Sequence, residues 1–111
     1  MGKVIENLEQ TIMVLKVKSD KASLKAMAYQ IAQIATECTK HNVKIIDCAI
    51  TFGGPKDFIR ELKKIDAQKR FDSVIIYSPN QICKNEAEYG AFVNEVQTNF
   101  QAGVRCIRTP N

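Results

Sequence analysis

The sequence predicts a small doubly wound α/β domain, a mainly parallel sheet of about four strands with helices on both faces. Three observations carry that expectation. Four short apolar runs rich in β-branched residues recur along the chain: "TIMVLKV" (11–17), "VKIIDCAI" (43–50), "SVIIY" (73–77) and "VRCI" (104–107). Segments with apolar residues three and four apart separate them, the period of an amphipathic helix. Each helical stripe needs a sheet to pack on, and strand-helix-strand repetition implies parallel pairing through right-handed crossovers.

The elements follow in order. Residues 1–10 stand outside the pattern as an N-terminal extension, in which Val4, Ile5 and Leu8 could form a short helix covering an edge strand or meeting a partner. The domain proper is expected over 11–111. After the first strand, Ser19 or Asp20 is suited to cap a helix over about 21–40, whose stripe is Leu24, Met27, Ala28, Ile31, Ala35 and Cys38. His41, the single histidine, stands at its end. The second helix opens at "GGP", where Pro55 loses nothing by lacking an N–H, and buries Phe58, Ile59, Leu62 and Ile65. The third runs over about 85–102 with Tyr89, Phe92, Val93, Val96 and Phe100 on one side, and Gly103 is the expected C-cap.

At 111 residues the chain is long enough for one core and too short for two. Its 45% hydrophobic and 25% charged residues match an ordinary globular chain. No apolar run reaches the roughly 18 residues of a membrane span, and "MGKVIENLEQ" is too polar for a signal peptide, so a cytoplasmic protein without membrane contact is expected. Cys38, Cys48, Cys83 and Cys106 form no C-x-x-C pair and have no histidine at metal spacing. Reduced thiols are expected, with no metal and no cofactor; Cys83, placed in a loop, is expected to be an ordinary loop residue, with a reactive thiol there as the lesser alternative.

The formal net charge of +4 is too small to argue for tight nucleic-acid binding by itself. Lys56, Arg60, Lys63, Lys64, Lys69 and Arg70 cluster, but Asp57, Glu61 and Asp66 dilute them, so a solvated helix face is expected there. In a doubly wound sheet, ligands enter at the carboxyl ends of the strands beside the point where strand order reverses. Those ends are "KVKSD", "AITFGG" and "YSPNQICK". They carry neither a dinucleotide fingerprint nor a P-loop, and Ser78 and Asn80 replace the aspartate that a phosphoacceptor site requires.

The phrases "LKVKSD", "DCAITFGGPKDFIREL" and "VIIYSPNQICKNEAEYGAF" resemble the three landmark motifs of the serine recombinase catalytic domain, the resolvase and invertase family, over about 11–109. The resemblance implies a resolvase-like fold and a serine hydroxyl that attacks a DNA phosphodiester among several arginines. Guanidinium suits that task because its planar fork stays charged and binds phosphate through two bonds. This chain departs from the pattern. If Ser19 is the nucleophile, Val17 holds the first-strand arginine position; if Lys16 holds it, Lys18 replaces the serine. Gly54 precedes Pro55 where an arginine is implied, and Thr51 stands near the middle motif's serine. Asn80 replaces the aspartate, Gln81 and Lys84 replace arginines, and Asn85 fits.

Losing one preorganised donor costs about a hundredfold to a thousandfold in rate, and an amide cannot serve as a carboxylate base. The expectation is therefore a recombinase-like domain that has lost catalysis. It would act through protein contact, as a homodimer or a partner in DNA recombination or regulation. Two alternatives remain open: an active site-specific recombinase using Ser19, and an anion or nucleotide sensor. Lys16, Lys18, Lys56, Asn80, Gln81 and Lys84 are the candidate phosphate or DNA contacts, giving at most weak DNA binding. The family's oligomerising helix and DNA-reading module have no expected counterpart before the final "RTPN".

Overall fold

The computed structural model describes residues 8–18 and 20–108. The chain runs β1 (Glu9–Lys16), α1 (Lys21–Lys40), β2 (Val43–Thr51), α2 (Pro55–Asp66), β3 (Ser73–Ile76), α3 (Pro79–Ile82), α4 (Glu86–Phe100) and β4 (Gly103–Cys106). The strands form one sheet in the order β2-β1-β3-β4. Every pairing in it is parallel. The expected doubly wound fold is therefore present. The chain steps outward from β1 to β2 and then crosses back to β3, so strand order reverses between β1 and β3.

Alternation along the strands sends side chains to two different cores. Ile12, Val14, Val74 and Ile76 pack with Phe58 and Leu62 of α2 and Phe92, Val96 and Phe100 of α4. Met13, Leu15 and Ile75 pack with Ile34 and Cys38 of α1. Both faces of β1 and β3 are covered, which is why their sequences read as unbroken apolar runs.

The helix ends follow local chemistry. Asp20 caps α1 by accepting from the Ser23 N–H at 2.9 Å. At the other end the His41 N–H donates to the Glu37 carbonyl at 3.1 Å, and Asn42 turns the chain with a left-handed φ of 57°. Asn85 caps α4 by accepting from the Glu88 N–H at 2.8 Å.

Several expectations need correction. β1 begins at Glu9, so the last two residues assigned to the extension belong to the sheet. Val4 and Ile5 lie outside the described residues. The buried stripe of α1 centres on Ile34 and Cys38, flanked by Met27 and Ile31, while Leu24, Ala28 and Ala35 are exposed. Gly103 does not cap α4: Gln101 takes the left-handed C-cap position at φ 55°, and Gly103 opens β4. The loop expected after β3 contains a helical turn, α3, closed by the Cys83 N–H donating to the Pro79 carbonyl at 2.9 Å. Among the described residues, no helix is long and apolar enough to cross a membrane.

Candidate functional site

The carboxyl ends of β1 and β3 deliver the candidate residues to one place. Lys16 is the last residue of β1 and sits beside Thr51, the last of β2; the Val17 N–H continues the ladder by donating to the Thr51 carbonyl at 3.0 Å. Lys18 extends beyond the sheet and is exposed. Pro79 starts α3, which carries Asn80 and Gln81 over the same end of the sheet. Lys84 and Asn85 then lead into α4.

Two adjoining cavities result. The smaller, of about 360 Å³, is lined by Lys16, Lys18, Asn80 and Gln81 with Ser23 and Gln30 from α1. The larger, of about 850 Å³, shares Lys16, Asn80 and Gln81 and adds Lys56, Lys84 and Phe52. All six residues expected to contact phosphate therefore line this crevice. Ser19, the candidate nucleophile, lies outside the described residues. Sequence reasoning missed Ser23, Gln30 and Phe52; the signal for the last was an aromatic directly after a strand, in "ITFGG".

Hydrogen bonds fix the rim. Asp57 folds back over the start of α2, its Oδ2 accepting from the Gly54 N–H at 3.0 Å. Gly53 is required for this: a Cβ there would stand 1.7 Å from Asp57 Oδ2. The "FGGPK" turn thus has its Gly54 N–H taken by the carboxylate of Asp57, the next residue, and is not a free phosphate cradle. Glu88 accepts from the Lys84 N–H at 2.7 Å while its own N–H donates to Asn85. This reciprocal cap holds the Lys84 backbone at the mouth of the cavity.

The charges divide unevenly. Arg60, Lys64, Lys69 and Arg70 each pair with a carboxylate, as a solvated helix face does. Among the described residues, Lys16, Lys18, Lys56 and Lys84 have no such partner. No carboxylate among the described residues lines the smaller cavity, and no arginine among them lines either. The larger one is bordered by Asp57, Glu88 and Glu95, the first two already engaged by backbone N–H groups.

No protein-family model, curated protein sequence or solved structure matches this chain. The likeness to serine recombinases accordingly rests on the three sequence motifs alone.

Cys83 borders the larger cavity but is not a reactive loop thiol. It is buried, and loss of solvent, assisted by the negative charge of Glu88, pushes its pKa up to about 11. All four cysteines are free thiols. Among the described residues no cluster of three or more histidine, cysteine or acidic side chains is arranged to hold a metal. What the crevice offers is ammonium groups, amides and a hydroxyl, with the carboxylates of Asp57, Glu88 and Glu95 bordering the larger cavity, a set whose cationic side can hold an anion.

Proposed function

We propose that this chain is a recombinase-like module that binds without cutting, and that it works through contact with a second protein or a second copy of itself. The observation that carries the reading is the chemistry of the crevice: its cationic groups are lysines, with no arginine among the described residues that line either cavity. A phosphoryl-transfer transition state spreads charge over its equatorial oxygens and needs fixed donors already aimed at them. Ammonium groups on long flexible stems attract phosphate as point charges but do not clamp it in two places.

Incubation with supercoiled DNA followed by denaturing electrophoresis tests the proposal. Neither nicked circles nor protein bound covalently to DNA should form. An adduct that disappears in Ser19→Ala would overturn the reading in favour of an active strand-transfer enzyme.

A further inference from the structure

The two cavities differ in a way that a simple anion does not explain. Among the described residues, the smaller is lined mostly by polar groups and by no carboxylate, with Lys16 and Lys18 as its charged groups. The larger has an apolar side, built from Phe52, Pro55, Ile82, Ala91 and Phe92. Phe52 is 70% exposed, the most exposed large apolar side chain among the described residues. Lys16, Asn80 and Gln81 belong to both cavities and join them.

We infer that this double cavity takes a nucleoside phosphate, with the phosphoryl groups among Lys16, Lys18, Asn80 and Gln81 and the base against Phe52. The inference rests on the proposed reading of the crevice as a binding site. Phosphate alone would use the cationic side and leave the apolar side wet. A nucleotide has both characters in one molecule, an anionic end and a flat aromatic face that stacks on an exposed ring. Each cavity by itself, about 360 Å³ and about 850 Å³, lies in the range of ligand pockets, roughly 300–1,000 Å³. The location, beside the reversal of strand order and at the strands' carboxyl ends, is where open α/β sheets bind nucleotides.

Calorimetric titration of the full chain with ATP, with tripolyphosphate and with an oligodeoxyadenylate of about eight nucleotides separates the possibilities. ATP should bind about tenfold tighter than tripolyphosphate, the lower part of what one stacked base contributes. Phe52→Ala should remove that advantage and leave tripolyphosphate unchanged; at so exposed a position it should also leave the far-ultraviolet circular dichroism unchanged. Lys16→Gln with Lys18→Gln should weaken every ligand, whereas Lys44→Gln, near the amino ends of the strands, should weaken none.

Tighter binding of the oligonucleotide than of ATP, with the same dependence on Phe52, assigns the ligand to a single strand. The reverse order assigns it to a free nucleotide. Equal affinity for ATP and tripolyphosphate, indifference to Phe52→Ala, or no binding by either nucleotide ligand overturns the inference; in the last two cases Phe52 is left to a protein contact. DNA cleavage would instead overturn the reading beneath it without altering these titrations.

Discussion

Arg105 on β4 reaches across β3 to Glu9 on β1, its Nε donating to Glu9 Oε2 at 2.6 Å and its Nη2 donating to Oε1. The pair ties the first strand to the last across β3. Beneath it, the Ser73 hydroxyl donates to Glu9 Oε2 at 2.6 Å and the Thr11 hydroxyl donates to the Ser73 carbonyl at 3.0 Å, so two buried polar side chains in the sheet are satisfied.

This arrangement makes a pH-dependent prediction. The hydrogen bond from Arg105 leads in holding the Glu9 pKa below its ordinary value, against a smaller opposing effect of burial, with Ser73 and the guanidinium charge adding to the lowering. A depressed carboxylate pKa means that the folded state binds fewer protons than the unfolded chain. Its stabilisation is complete above the unfolded value of about 4.3 and disappears as pH falls through the lower folded value. Arg105→Met should lower stability by about 1 kcal/mol at pH 7, a partly exposed bidentate pair being worth little more. The gap from the native chain should narrow as pH falls from 7 to about 3, through the range in which Glu9 begins to take up a proton. Urea unfolding at both pH values measures it, and a gap unchanged at pH 3 would refute the assignment.

A second prediction concerns α1. Ile34 is fully buried, whereas Leu24 is 44% exposed. Ile34→Ala should cost about 2–5 kcal/mol through lost contacts and a residual cavity, and Leu24→Ala less than about 1 kcal/mol. Chemical denaturation that ranked them the other way would restore the stripe expected from sequence.

That stripe marks the limit of what the residues disclosed. Met27, Ile31 and Cys38 are shared by the expected and observed faces. Leu24, Ala28 and Ala35 continue one side of the same repeat, and Ile34 the other. Alanine adds so little apolar area that periodicity could not choose between them; the position of the sheet chose. α2 posed no such ambiguity, because Phe58, Ile59 and Leu62 stand among charged neighbours.

The candidate site divides in the same way. The strand ends and their lysines were readable because apolar runs end abruptly at Lys16 and Tyr77. The contributions of Ser23 and Gln30 were not, since they depend on how α1 lies over β1, which only packing decides. Nor did "SPNQIC" announce a single helical turn, too short to show a period.

Cys83 supplies a third prediction. With its pKa near 11, roughly one thiol in a thousand is ionised at pH 8, and the side chain is buried as well. Iodoacetamide at pH 8 should leave Cys83 unmodified in the folded chain and alkylate it within minutes in urea. Peptide mass spectrometry reads both states, and rapid labelling of the folded chain would contradict the burial described.

The end of α4 gives the last prediction, from a residue that pays for a turn glycine usually makes. Gln101 adopts φ 55°, where an L side chain crowds the following carbonyl, and its N–H donates to the Gln97 carbonyl at 2.9 Å. Glycine has no Cβ to crowd, so Gln101→Gly should stabilise the chain by about 1 kcal/mol, the relieved strain exceeding the added freedom of the unfolded state. Gly103, the residue that looked like the cap, has no positive φ, and a Cβ there would meet nothing within 4 Å. Gly103→Ala should therefore be neutral or slightly stabilising, by up to about 1 kcal/mol. Thermal unfolding of the two variants checks the pair. A loss of stability in Gln101→Gly alongside a large loss in Gly103→Ala would move the helix end back to where the sequence first suggested it.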